Sequence, residues 1–351
     1  MDDFILNGAA TGSVASRLIA SNCDVSVLRP WIGKDQHSYI SVVRNGEASA
    51  HRTTQNAATL RKDEWIQLDS VVIKAARSRL KFVNDLRSQG LVYTIPNGMG
   101  KTVLQSESMS DINSATISMD GVRQGANDRP QFDIVNLPLP IIHKDFSFSA
   151  RQIATSRNSG SPLDTSMAEL SARKVAEEVE KLAIGVADTY SFGGGSIYGM
   201  ENYPDALTKE LTDPTDTGWT PLIHVTEVLA MRQQAQDAYY YGPYSLYYSS
   251  KWDKYLDADY SSAYPGVTLR DRLKKIEGIN GVSTLDYMTD YSVGLVQMTS
   301  DIIRMVNGMD ITTVQWESNG GMQINFKVMA ILVPQIRCDY NSRTGLVQGS
   351  I

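Results

Sequence analysis

Few residues in this chain are typed and spaced for chemistry. Ser196 has the first claim, standing behind three consecutive glycines in DTYSFGGGSIYGMENYP, Asp188 to Pro204. A phosphate cradle places its glycines ahead of a helix, so that free N–H groups of the first turn face the anion, and it follows them with Lys and Ser or Thr. Here the glycines come after a helical pattern, and no lysine stands behind them in the stretch. A nucleophile turn needs Gly-x-Ser-x-Gly. The frame is Gly194, Gly195, Ser196, Ile197, Tyr198, with a ring where the turn needs a glycine. The plainer reading is a helix exit, in which glycines take positive φ and reverse the chain. A hydrolase using Ser196 is the weakest alternative.

The other reactive types are no better arranged. His37, His51, His143 and His224 fall at no metal-ligand spacing, and His-Glu-x-x-His is absent. Cys23 and Cys338 lie near opposite ends, giving neither a Cys-x-x-Cys pair nor a disulfide framework, which fits a reducing compartment. No catalytic residue, metal or cofactor is expected. Tyr239, Tyr240, Tyr241, Tyr244, Tyr247 and Tyr248 lack interleaved Lys or Arg, so they read as a packed strand or a subunit contact rather than a base-stacking platform. Tyr244, Tyr247 and Tyr248 are the contact candidates.

The elements that would hold these residues are easier to read. With 351 residues, 42% hydrophobic and 21% charged, the chain suits one or two globular domains. A net charge of −6 and the lack of any basic run argue against a dedicated nucleic-acid binder. No apolar run reaches membrane-span length, and the opening MDDFILNGAATG lacks a basic leader, so a cytosolic product is expected. Residues 1–59 show weak periodicity and read as an extended arm. Residues 60–91 carry a helix, with Trp65, Leu68, Val72, Ala75, Leu80, Val83 and Leu86 on one face and Gly90 as its stop. Residues 92–148 alternate like strands around the polar run QSESMSDINSATISMDGVRQGANDRP, a projecting hairpin with nothing local to pack on.

Within 149–218 the best helix covers 164–188, with Asp164 or Ser166 as cap and Ser166 and Glu169 at capping-box spacing. Its stripe is Met167, Leu170, Val175, Val179, Leu182 and Val186. Residues 219–311 read as a separate α/β unit, with helices near 221–238 and 268–276 and a strand near 291–298. Residues 312–351 return to β structure through ITTVQW and MQINFKVMAILVP, joined at Asn319-Gly320, a hairpin pair.

Taken in order, LRKDEWIQLDSVVIKAARSRL, PLPIIHKDFSFSARQI, ARKVAEEVEKLAIG with its GSIYGMENYP exit, GPYSLYYSSKWDKYL and NGMDITTVQW resemble the Hong Kong 97-type tailed-bacteriophage major capsid protein, whose fold encapsulin shells share. The resemblance covers about 290 residues, from Leu60 onward. It implies an α+β capsid fold in which the segments above are the N-arm, the first P-domain helix, the E-loop, the spine helix, the A-domain and the returning P-domain strands. It also implies a structural protein, assembled in the bacterial host's cytoplasm as hexamers and pentamers into an icosahedral virion shell around double-stranded DNA. Portal, scaffolding and decoration proteins would be its partners, DNA contact would be weak and non-specific, and no membrane would be involved. Val175, Val179 and Leu182 would then pack the spine helix, while Lys101, Arg123 and Arg129 would be E-loop contacts between subunits. An encapsulin-like nanocompartment enclosing cargo enzymes is the alternative.

Overall fold

A computed structural model describes residues 31–33, 37–44, 47–53, 60, 62–110, 131–159, 165–261, 266–319 and 322–351, with single positions 117, 119 and 129. The first described segment is not a bare arm. Strands β1 (Trp31–Ile32), β2 (Ser38–Arg44) and β3 (Glu47–Thr53) pair antiparallel into a small sheet. Its first strand is tied to the rest by Ile32 N–H donating to the Leu60 carbonyl at 3.0 Å.

The expected single helix over 60–91 is two, α1 (Lys62–Arg77) and α2 (Lys81–Ser88). The stripe that reads as continuous is real, since Trp65, Leu68, Val72, Phe82, Val83 and Leu86 are all buried. The break between them is imposed from outside, as described below.

A short parallel strand β4 (Val92–Thr94) follows, then a long ribbon of β5 (Val103–Met109) and β6 (Phe132–Pro138), paired from Val103↔Pro138 to Met109↔Phe132. β7 (Ile142–Ser149) runs into α3 (Ala150–Ser159), and α4 (Ser166–Ile184) comes next. Thr165 holds the cap position of α4 without a side-chain capping bond, so Ser166 begins the helix instead of capping it. Asp164 lies outside the described residues.

The helix stops at Ile184 because Gly185 takes φ +97 as its C-cap. The three glycines at 193–195 are therefore not the exit read from the sequence. Gly193 and Gly194 have φ of +62 and +77 and form the turn of a small hairpin, β8 (Ser191–Phe192) with β9 (Gly195–Ser196).

After β10 (Leu207–Glu210) come α5 (Pro221–Asp237), β11 (Tyr244–Ser249), α6 (Asp253–Leu256), α7 (Leu269–Lys274), β12 (Ile279–Leu285), β13 (Val293–Gln297), β14 (Ile303–Ser318), β15 (Gln323–Ile336) and β16 (Leu346–Ser350). β14 and β15 pair to Ser318↔Gln323, with Asn319 at φ +53 in the connection and Gly320 outside the described residues.

Two sheets organise this. The first runs β4-β14-β15-β7, and α4 lies across β15 and β7 and against α1. The second runs β10-β16-β13-β11-β12. Three boundaries differ from the sequence reading. β14 starts at Ile303, inside the segment read as the separate α/β unit, and β16 pairs with β13 of the second sheet instead of returning to the first. β10 also joins the second sheet, by parallel pairing to β16. Membership of a sheet is decided by distant pairing, which a five-residue strand does not announce.

Candidate functional site

Ser196 is where a catalytic reading would begin. Its hydroxyl lies 2.7 Å from that of Ser191, across the β8–β9 hairpin. No histidine or carboxylate among the described residues hydrogen-bonds it, so nothing there raises its nucleophilicity. The hairpin has a packing task instead. Gly195 lies directly against the Asn136 backbone of β6, closer than any side chain permits, and Asn136 Nδ2 donates to the Gly193 carbonyl at 2.9 Å. The glycines thus brace the base of the β5–β6 ribbon, and a groove of about 450 Å³ remains between ribbon, hairpin and the end of β15.

Beyond that brace the ribbon pairs with no other strand among the described residues. Its far end exposes Met109 (58%), Phe132 (57%), Ile134 (65%) and Val135 (52%) on both faces. An isolated two-stranded ribbon is marginal in water, and clustered exposed apolar side chains mark an interaction surface. Lys101, at the ribbon's base, and Arg129, near its far end, are both exposed, whereas Arg123 lies outside the described residues.

On α4, Val175 and Val179 are buried in one core with Phe326 and Trp65, and Leu182 enters a second with Leu137 and Ile197. The rest of the packed stripe is mostly small, Ala168, Ala172, Ala176 and Ala183, and closes on Ile184. Met167, Leu170 and Val186, which belong to the apolar stripe in the sequence, are close to half exposed. The alanines let the helix approach the sheet, while Met167, Leu170 and Val186 remain at its edge.

The tyrosines are not surface groups. Tyr244, Tyr247 and Tyr248 are at most 1% exposed, so the fold selects the packed strand over the subunit contact. Tyr244 and Tyr248 face the core under α5, and Tyr247 faces the core of the first sheet. Tyr248 belongs to a buried relay: its hydroxyl is 3.0 Å from His224 Nε2, His224 Nδ1 is 3.4 Å from Glu227, and Glu227 accepts from Thr212. Burial holds the His224 imidazole below its ordinary range, with Glu227 pulling the other way. His143 faces Asp145 at 3.5 Å, and Cys338 faces Asp205 at 3.7 Å. Among the described residues no three His, Cys, Asp or Glu side chains are grouped to hold a metal ion, and no helix is long and apolar enough to cross a membrane.

Comparison with known proteins sharpens this. A family model described as a family of unknown function, DUF6260, matches residues 55–349. The chain belongs to that family. This DUF6260 member is 27% identical over 198 residues to the type 1 encapsulin shell protein EncA of Myxococcus xanthus; the match takes in 55% of the chain and spans 62% of that protein's length.

Among solved structures it is similar to the capsid of Myoviridae phage XM1, with a TM-score of 0.58 and 9% identity, covering 74% of this chain and 90% of that one. It is similar also to a virus-like particle from Pyrococcus furiosus, with a TM-score of 0.57 and 17% identity, covering 81% and 98%. The capsid of a native GTA particle matches at 0.53 and 13%, covering 87% and 96%. At such identities the likeness establishes the fold. The DUF6260 chain has the Hong Kong 97-type α+β fold.

Proposed function

We propose that this chain is the major capsid protein of a tailed phage: a structural protein, not an enzyme, that self-assembles through hexamers and pentamers into an icosahedral shell around double-stranded DNA. The observation that carries the reading is the β5–β6 ribbon, which holds Met109, Phe132, Ile134 and Val135 in solvent on a fold shared with capsids. A surface of that kind becomes stable when a neighbouring copy covers it, and repeated around a closed symmetry it makes a shell. In this reading α4 is the spine helix, the ribbon is the E-loop, the first sheet belongs to the P-domain and the second to the A-domain. Lys101, Arg123 and Arg129 serve contacts between subunits. The acidic chain makes only weak contact with the genome, portal, scaffolding and decoration proteins are its further partners, and assembly takes place in the host cytoplasm.

A second reading, an encapsulin-like shell enclosing cargo enzymes, is favoured by one observation, the 27% identity to EncA. Electron microscopy of the purified full chain tests the shared part: closed particles are expected, and Phe132→Ser with Ile134→Ser should leave folded subunits without shells. A wild-type chain that stays monomeric at high concentration overturns both readings. Particles from the native source separate them, because nuclease-protected DNA supports the capsid and a co-purifying enzyme supports the nanocompartment.

A further inference from the structure

Two carboxylates one turn apart on α4 are withdrawn from solvent and treated oppositely. Glu177 sits among cations, with Lys174 Nζ at 2.7 Å, Arg173 Nε at 3.6 Å and Arg79 Nε at 3.9 Å. Burial pushes its carboxyl up, but the three cations outweigh burial and hold it below the ordinary range. Glu180, 1% exposed, forms no ion pair with any described lysine or arginine. Its Oε1 accepts from Phe82 N–H at 2.6 Å and its Oε2 from Val83 N–H at 3.3 Å. Those are free N–H groups of the first turn of α2, so Glu180 caps that helix from another element.

The second sheet meets the same place. Tyr247 of β11 donates its hydroxyl to Asp85 Oδ2 of α2 at 3.4 Å, and its ring meets Phe82 edge-on at 4.9 Å. Asp85 and Tyr247 are the titratable groups that face Glu180 from α2 and β11. The surrounding cations are engaged elsewhere: Lys81 with Asp286, Arg79 with Glu177, Arg87 with Asp310, and Lys181 with Glu178 and the Tyr287 ring.

We infer that Glu180, Asp85 and Tyr247 form a proton-sensitive joint in which α2 couples the spine helix to the second sheet, tightened by a proton on Glu180 and loosened when that proton leaves. With the proton off, Glu180 holds a charge in a buried site with no cation beside it, and the half-buried Asp85 adds a second like charge, which low dielectric penalises. Burial pushes the Glu180 carboxyl up to about 7, aided by Asp85 and opposed by the N–H bonds of Phe82 and Val83. Because the folded chain keeps a proton that an unfolded carboxyl has lost, this group destabilises folding as pH rises from about 4.5 to about 7, by at most about tenfold in the unfolding constant per pH unit. The joint belongs to the subunit's own fold and does not depend on what kind of shell is formed.

Denaturant midpoints of the full chain at pH 5, 6, 7 and 8 test it, compared with Glu180→Gln, which keeps an acceptor but cannot titrate, and with Asp85→Asn. His224 titrates in all three proteins, so the difference profile isolates Glu180. The wild type should lose stability relative to E180Q over pH 5–7 and level off above, and D85N should move the fall to lower pH. If E180Q does not fold, D85N and amide exchange on the wild type decide. Protection of Phe82 and Val83 relative to core amides of α4 should be lower at pH 8 than at pH 6, once intrinsic exchange is corrected for. Parallel wild-type and E180Q profiles, or α2 protection that keeps pace with α4 at both pH values, would refute the joint.

Discussion

Phe326 is the residue on which the first sheet's core turns, and its truncation gives the sharpest test of that core. It is fully buried on β15, stacked on Phe146 of β7 with centroids 5.1 Å apart and planes at 11°. It meets Phe148 at 5.7 Å and Trp65 of α1 at 6.1 Å, both near edge-on at 68°. Phe326→Ala removes a whole ring from between two strands and a helix. Such truncations cost about 3–5 kcal/mol, and three aromatic partners, each worth about 0.5–1.5 kcal/mol beyond area, place this one at the upper end.

Against a total of about 5–15 kcal/mol for a typical domain, that leaves a subunit with little reserve. Phe326→Leu fills much of the void and should cost only about 1–2 kcal/mol. Trp316→Ala is the surface control: that ring is 39% exposed, with Lys327 Nζ 5.5 Å from its centroid, and its loss should cost less than about 1 kcal/mol. Urea unfolding of dissociated subunits, with the m-value checked for constancy, reads all three. Equal costs for F326A and F326L, or a cost below about 1 kcal/mol for F326A, would mean that the site collapses freely and that the rings do not organise this core.

Two further outcomes bear on the polar and glycine features. Gly195→Ala drives a methyl group into the Asn136 backbone, so it should detach the hairpin from the ribbon and abolish particles, while Ser196→Ala, losing one hydroxyl pair, should cost less than about 1 kcal/mol and assemble normally; an esterase or amidase activity lost in S196A alone would reverse that order. His224→Leu leaves Tyr248 and Glu227 short of a partner and should cost about 1–3 kcal/mol at pH 8. Because the folded imidazole titrates below the unfolded value of about 6.5, the wild type loses this residue's share of stability as pH falls below 6.5, and the leucine variant should lack that loss. Thermal unfolding from pH 5 to 8 checks it.

Helices were readable wherever the sequence itself supplies both face and stop. α5 has Pro221 at its first turn and α7 has Thr268 at its cap, accepting from Asp271 N–H, and both lie where the pattern places them. The α1–α2 break was not readable, because AARSRLKF contains no glycine or proline. The chain turns there to offer Phe82 and Val83 to Glu180, a carboxylate 98 and 97 residues away in sequence. The end of α4 was misplaced for a related reason. Val186 continues the helical spacing, yet Gly185 has already left the helix, drawn against Gly199 and Asn202, where no side chain would fit.

The candidate surfaces divide along the same line. YSLYYS in β11 is buried along its whole length, with alternate residues entering two different cores, so it has no polar face from which to infer alternation. A reader of the sequence can say that these tyrosines pack, but not that Tyr247 alone turns toward α2 and the first sheet. The ribbon presents the opposite problem. FDIVNLP has the composition of a buried strand, and nothing local distinguishes Phe132, Ile134 and Val135 from core residues. Only the pairing scheme does so: β6 finds β5 on one side and no strand on the other, and at its far end the Tyr340 hydroxyl donates to Gln131 Oε1 at 3.1 Å while Phe132, Ile134 and Val135 stay more than half exposed. An apolar strand that its own chain leaves uncovered has kept its hydrophobic driving force in reserve, and a second copy presenting its own uncovered apolar surface is the partner that can use it.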